Sequence, residues 1–118
     1  MPEQVVAPAR RTRPVLNIYP VALCIVRTLQ PTIEEIARRN RNLADQLDRC
    51  STSVVLNLRE GDAHRGAMRR HKYTIALGEA RETVGCLDLA DAKRLASRPD
   101  GVDDQLDHVI GVLVKLTR

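Results

Sequence analysis

Apolar residues recur every three or four positions along this chain, most regularly between residues 43 and 58. The apolar side chains of that stretch are Leu43, Leu47, Cys50, Val54 and Leu58. Because an α-helix repeats every 3.6 residues, this spacing places all of them on one helical face. The pattern predicts an amphipathic helix, and Gly61 is the residue expected to end it.

A helix with the same period is predicted after a short basic turn, beginning near Gly66 or Ala67. Its apolar stripe comprises Tyr73, Leu77, Ala80, Val84 and Leu87, with Ala76 and Ala90 alongside. Gly78 and Gly85 lie one heptad apart on a flank of this helix. Since glycine inside a helix costs about 0.5–1 kcal/mol relative to alanine, the pair indicates that a neighbouring backbone approaches closely.

The first helix of the chain is predicted to begin at Val15 or Pro20 and to end near Leu29. Proline is tolerated in the first turn of a helix, where its missing N–H costs nothing, and elsewhere it produces a kink. Residues 22–26 are apolar on every side, so periodicity alone also fits a buried strand. We favour a helix because the rest of the chain is helical.

Pro31 is expected to break the chain after this first helix. Thr32, as N-cap, and Glu35, three residues later, form a capping box. The second helix would then extend from Thr32 to about Asp62, with a disturbance near residues 40–42.

A fourth helix is predicted after the turn at residues 99–101. Asp103 and Asp104 suit a helix N-terminus, because its dipole is positive there. The apolar positions that follow are Leu106, Val109, Ile110, Leu113 and Leu116. Four helices with short connections predict an all-α fold, an up-down-up-down antiparallel four-helix bundle spanning residues 15–118.

Composition supports one helical domain with an aliphatic core. The 118 residues are 43% hydrophobic, yet they include two Tyr and neither Phe nor Trp. Sandwiches and barrels favour aromatic and β-branched strands, so this composition suits helices better. The first, second and fourth helices are more apolar than one inward face requires, which predicts that copies of the chain associate.

Residues 1–14 are predicted to form a flexible basic arm, either solvated or placed on phosphate groups. Up-down topology brings this arm, the turn between the second and third helices, and the C-terminus to one end. The cations collected there are Arg10, Arg11, Arg13, Arg65, Arg69, Arg70, Lys72, Lys115 and Arg118. The opposite end is predicted to be acidic, through Glu34, Glu35, Asp100, Asp103, Asp104 and Asp107, with Arg98 among them.

A cluster of cations suits a nucleic-acid backbone, because each neutralised phosphate releases counterions. The absence of Phe and Trp argues against stacking of bases, so backbone binding is expected rather than sequence-specific recognition. The alternative is that these charges only keep the domain soluble.

The sequence contains no pattern that predicts an enzyme. None of the six Glu has a His three residues later, as di-iron bundles require, and no phosphate-binding loop occurs. Cys24, Cys50 and Cys86 are widely spaced and are interpreted as small buried side chains. We therefore expect no catalytic residue, cofactor or metal site, and a cytoplasmic location. The longest apolar run, residues 21–26, is too short to span a bilayer, so no membrane partner is expected.

Three segments of the chain resemble the bacterial four helix bundle protein family. Residues 43–51, 57–61 and 76–83 are similar to its patterns Q-L-x-R-A, N-I-A-E-G and A-x-G-S-x-x-E. The family includes proteins encoded in intervening sequences of large-subunit ribosomal RNA genes. A relative is the accessory variability determinant of diversity-generating retroelements. The chain departs from the patterns at Arg59, where Ala is usual, and at Glu79, where Ser is frequent.

The resemblance implies a homopentameric ring with a basic surface and an RNA or reverse-transcriptase partner. The residues interpreted as its structural motif are Asn57, Glu60, Gly61, Gly78 and Glu82. The leading hypothesis is a non-enzymatic ring that binds RNA or DNA through its basic end. The alternative is an adaptor whose contacts are with proteins only.

Overall fold

The computed structural model describes residues 17–118, so the predicted arm at residues 1–14 lies outside the described residues. Four helices form the fold: α1 (Ile18–Ala37), α2 (Arg41–Asp62), α3 (Gly66–Ala92) and α4 (Val102–Leu116). Packing pairs α1 with α2, α2 with α3, α3 with α4 and α4 with α1, which closes an antiparallel bundle. The predicted all-α, up-down-up-down fold is confirmed, and no strand occurs between residues 17 and 118.

The core is aliphatic, as the composition predicts. Each helix contributes one buried stripe, and Leu29, Ile36, Leu47, Leu58 and Leu113 are fully buried. Tyr73 is the aromatic side chain of this core, with 3% of its surface exposed. Burying a side chain of this size contributes roughly 1.5–3 kcal/mol.

The prediction that Pro31 breaks the chain is wrong, because α1 continues through it to Ala37. The buried stripe of α1 consists of Ile18, Ala22, Ile25, Leu29, Thr32 and Ile36, at helical spacing on both sides of the proline. Pro31 itself is exposed. The stripe keeps the helix intact although an interior proline removes one backbone hydrogen bond.

The first break in the chain therefore lies at Arg38–Asn40 rather than at Pro31. Asn40 is the N-cap of α2, and its Oδ1 accepts a hydrogen bond from the Leu43 backbone N–H at 3.0 Å. Thr32, predicted as an N-cap, is instead a buried residue of α1. The disturbance predicted near residues 40–42 is the actual start of the second helix.

The buried face of α3 differs slightly from its predicted stripe. Tyr73, Leu77, Ala80 and Leu87 are buried as predicted, but Val84 is only partly buried. The buried set also includes Thr83 and Cys86. This rotation of the buried face brings the Thr83 hydroxyl and the Cys86 thiol into the α2–α3 interface.

Gly78 and Gly85 do not mark a close approach within the described chain. If a Cβ is built on either glycine, no atom of residues 17–118 lies within 4 Å of it, apart from the adjacent residues and the nearby backbone of α3. Gly61 is the glycine on which a neighbour packs closely, and that neighbour is the side chain of Tyr73. There a Cβ would lie 2.4 Å from Cε1 of Tyr73, so only glycine lets the ring pack on this turn of α2.

The C-terminal end of α3 closes in a left-handed turn at Arg94, whose φ is 58°. The backbone N–H of Leu95 donates to the Ala90 carbonyl at 2.8 Å, which is the bond of a Schellman motif. Arg98 then binds Asp88 at 2.8 Å and Asp103 at 3.0 Å, and so ties the connecting loop to α3 and α4.

Candidate functional site

Two contacts fix which residues share an end of the bundle. The guanidinium of Arg59, near the end of α2, lies 5.6 Å from the ring centre of Tyr19, near the start of α1. At the other end, the guanidinium of Arg39 in the α1–α2 connection donates to the carbonyl of Arg94 just after α3, and α4 runs back from this loop along α1 and α3. The start of α3 and the ends of α2 and α4 therefore lie at the same end as the start of α1.

We call this region the basic end; within the described residues its predicted cations are Arg65, Arg69, Arg70, Lys72, Lys115 and Arg118. The remaining predicted cations, Arg10, Arg11 and Arg13, lie outside the described residues. The structure thus brings together all the described members of the predicted set.

Arg69 and Lys72 are engaged by the fold itself. Nε of Arg69 donates to the carbonyls of His64 at 2.9 Å and Gly61 at 3.3 Å, at the C-terminal end of α2. A cation there stabilises the unpaired carbonyls and the negative end of the helix dipole. Nζ of Lys72 lies 2.8 Å from Oε1 of Glu60, and this hydrogen bond lowers the pKa of the Glu60 carboxyl. These two side chains connect α2 to α3.

Four other cations of the basic end point to solvent. Arg65, Arg70, Lys115 and Arg118 are exposed, and none forms an ion pair with any residue between 17 and 118. Their charges are consequently available to an anion that approaches this end of the bundle.

The opposite end carries both signs of charge, and the prediction that it is acidic is corrected. Because α1 extends to Ala37, the α1–α2 connection brings further cations to this end. The cations there are Arg38, Arg39, Arg41, Lys93, Arg94 and Arg98. They offset the carboxylates predicted at that end.

The residues that carry the family resemblance meet at the α2–α3 interface. Glu82 of α3 accepts hydrogen bonds from Nε2 of Gln46 at 3.1 Å and from Nη2 of Arg49 at 2.7 Å. Nη1 of Arg49 also lies 3.7 Å from Glu79. The Gln46 hydrogen bond and the Arg49 charge lower the pKa of Glu82, while Glu82 raises the pKa of Arg49. Two motifs separated by about 30 residues in sequence thus form one polar network.

The other motif residues have structural positions near the basic end. Nδ2 of Asn57 donates to the Ser53 carbonyl at 2.9 Å and to its hydroxyl at 3.0 Å, so this half-buried amide is satisfied inside α2. α2 ends at Asp62, as predicted, and its C-cap is Ala63 rather than Gly61. The hydroxyl of Tyr73 donates to Oδ1 of Asp62 at 2.8 Å. Gly78 is exposed, and a Cβ on it would meet no atom of the described residues within 4 Å beyond the backbone of its own helix.

Two of the three cysteines predicted to be buried, Cys50 and Cys86, are buried next to the polar network, whereas Cys24 is only partly buried. The sequence did not predict that the first two form a pair. Cys50 is fully buried, and Cys86 is 2% exposed. Burial raises the pKa of both thiols, that of Cys86 to about 12. Cys50 lies on the predicted stripe of α2, whereas Cys86 lies outside the predicted stripe of α3 and is on the buried face that the structure shows. The sequence pattern therefore contains no signal that the two thiols face each other.

The fold, the basic end and the α2–α3 network define a small helical-bundle protein with one positively charged end. Residues 17–115 match the family model described as 23S rRNA-intervening sequence protein, and the chain belongs to that family. The resemblance stated from the sequence is thereby confirmed. No curated protein and no solved structure matched the chain. Between residues 17 and 118, no helix is long and apolar enough to cross a membrane.

Proposed function

We propose that this protein is a non-enzymatic, cytoplasmic bundle that assembles into a homopentameric ring and binds an RNA or DNA backbone through its basic end. The observation that supports the proposal is the exposure of Arg65, Arg70, Lys115 and Arg118 at one end, without carboxylate partners in residues 17–118. Contact with phosphate groups would release counterions and give affinity without recognition of bases.

The aromatic side chains favour backbone binding over base recognition. Tyr73 is buried in the core, and Tyr19 is half-buried beneath the guanidinium of Arg59. Stacking of single-stranded bases needs exposed aromatic rings. Structured RNA and duplex DNA, which present regular phosphate arrays, are therefore the expected ligands.

Exposed apolar side chains support the ring. Leu23, Leu56, Met68, Leu89 and Leu116 are each 38–55% exposed. Several partly buried residues of α1 and α4, including Val26, Ile110 and Val114, extend the apolar surface of these helices. If subunits associate side by side with parallel axes, their basic ends add up to one positive face.

The test is a variant that removes the four available cations and leaves Arg69 and Lys72 in place. Arg65→Gln, Arg70→Gln, Lys115→Gln and Arg118→Gln together should weaken binding to structured RNA and to duplex DNA alike. The plot of log affinity against log salt should become shallower by about one unit for each phosphate that the variant no longer neutralises. Fluorescence anisotropy at several salt concentrations measures both quantities.

A matched control removes four exposed cations away from the basic end: Arg38→Gln, Arg41→Gln, Arg81→Gln and Lys93→Gln. It changes the net charge by the same amount and should retain most of the affinity and salt slope. An equal reduction of affinity in both variants would show that only total charge matters and would contradict the assignment to the basic end.

The alternative function is that of a protein adaptor, for which the sequence resemblance implies a reverse transcriptase as partner. Exposed Leu56, Met68 and Leu89 favour protein contacts of this kind. Absence of nucleic-acid binding by the wild-type protein at about 50 mM salt, where backbone contacts are strong, would support the adaptor instead.

A further inference from the structure

The α2–α3 interface contains three side chains whose ligand atoms converge. Sγ of Cys50, Sγ of Cys86 and a carboxylate oxygen of Glu82 all lie within 4.8 Å of one another. Both thiols are buried, and Glu82 closes the cluster on its solvent side, with about a third of its side chain exposed.

This spacing is close to that of ligands around one metal ion. Tetrahedral zinc, with Zn–S bonds of about 2.3 Å, separates two sulfur ligands by about 3.8 Å. Small changes in the side-chain torsions of these three residues would therefore bring their ligand atoms to the distances that a zinc ion requires. Glu82 and Cys86 are four residues apart on α3, so they share one helical face toward Cys50 of α2.

We propose that Cys50, Glu82 and Cys86 form a binding site for a thiophilic divalent ion of the zinc class. Two sulfurs and one carboxylate oxygen match the preference of zinc, whereas calcium and magnesium prefer oxygen ligands alone. The fourth position would be taken by water. This site is independent of the proposed nucleic-acid function.

The surroundings supply the second shell that a metal site needs. The hydroxyl of Thr83 lies 3.3 Å from Sγ of Cys50, while Gln46 and Arg49 hydrogen-bond the Glu82 carboxylate. Binding would release the two thiol protons to solvent, and two thiolates and one carboxylate around a divalent ion then leave one negative charge, which Arg49 offsets. Arg49 can remain paired with Glu79 when Glu82 turns toward the ion, since it already lies 3.7 Å from that residue.

Cobalt titration of the reduced full-length protein tests the site, because cobalt(II) substitutes for zinc and gives a thiolate-to-metal charge-transfer band. We expect this band to saturate at one cobalt per chain and to disappear when zinc is added. Cys50→Ala and Cys86→Ala should each abolish the saturating band, and Glu82→Gln should weaken cobalt binding. Cys24→Ser is the matched control, since Cys24 lies on α1 beside Gln105, and it should keep the wild-type band.

A thermal-melting readout keeps the test independent of folding defects. Circular dichroism without metal first establishes that each variant is folded. One equivalent of zinc should then raise the melting temperature of the wild type and of Cys24→Ser, but not that of Cys50→Ala. Absence of a cobalt band from the folded wild type, or an undiminished band in both Cys50→Ala and Cys86→Ala, would overturn the proposal.

Discussion

Gly61 is the position where a single missing methyl group decides the packing of two helices. Gly61→Ala would place a Cβ 2.4 Å from Cε1 of Tyr73, whose hydroxyl is fixed by Asp62. Overpacking of this kind lowers the free energy of unfolding by about 1–3 kcal/mol, so the midpoint of urea unfolding should fall. Gly78→Ala is the control, because its Cβ meets no neighbouring side chain among the described residues. It should raise stability by about 0.5–1 kcal/mol, and a stabilised Gly61→Ala would contradict this account.

Arg94 adopts a backbone conformation that a glycine would adopt at lower cost. Its φ of 58° lies in the left-handed region, which costs a residue with a Cβ roughly 1–2 kcal/mol. Glycine avoids this cost, but its unfolded chain has more conformational freedom to lose on folding. Arg94→Gly should therefore raise the free energy of unfolding by about 0.5–1 kcal/mol. The backbone bonds of the Schellman turn, including Leu95 to Ala90, remain available to the variant. Calorimetric melting measures the effect, and a lower melting temperature would show that the arginine side chain outweighs the strain.

Among the elements, the pairing of α2 with α3 depends on pH through Glu82. The pKa of Glu82 is lowered in the fold, so its contribution to stability is present above its unfolded pKa. That contribution is lost as the pH falls through the folded pKa. Glu82→Gln should therefore lower the melting temperature at pH 7, and the difference from wild type should shrink at pH 3. Glu34→Gln, at an exposed position of α1, should show no such pH-dependent difference.

The element boundaries show where sequence reasoning succeeds and where it fails. The apolar stripes predict α4 and the body of α2, because each has apolar residues on a continuous helical face. The predicted start of the second helix at Thr32 is wrong, because Pro31 does not end α1. The stripe of α1 continues across the proline, and the burial of Leu29 and Ile36 keeps the backbone helical. The overlooked signal was Asn40, a strong N-cap residue that marks the true break.

The candidate site could be predicted only in part, because helix order gives the positions of residues but not their side-chain contacts. The up-down topology is sufficient to predict which cations lie at the basic end, since helix direction determines which turns share an end. Which of them stay available depends on contacts that the sequence does not contain, such as Arg69 on the Gly61 carbonyl. Cys50 and Cys86 are 36 positions apart, so their proximity required the observed rotation of α3.

At the scale of the whole molecule, we expect several copies of the chain to associate. The exposed Leu23 and Leu116 and the partly buried apolar residues of α1 and α4 predict a mass several times 13.2 kDa by light scattering. A homopentamer corresponds to five times that mass. A monodisperse species of 13.2 kDa at micromolar concentration would contradict the ring.

The start of α1 and the end of α4 lie at the same end of the bundle as the exposed cations. A purification tag or fluorescent protein fused after Arg118 would therefore stand beside the surface whose binding is to be measured. The loop between α3 and α4 lies at the far end, and Ser97 in it is exposed. A Ser97→Cys variant carrying a small dye, made with Cys24 replaced by serine, would place the label where neither charge nor bulk disturbs that surface.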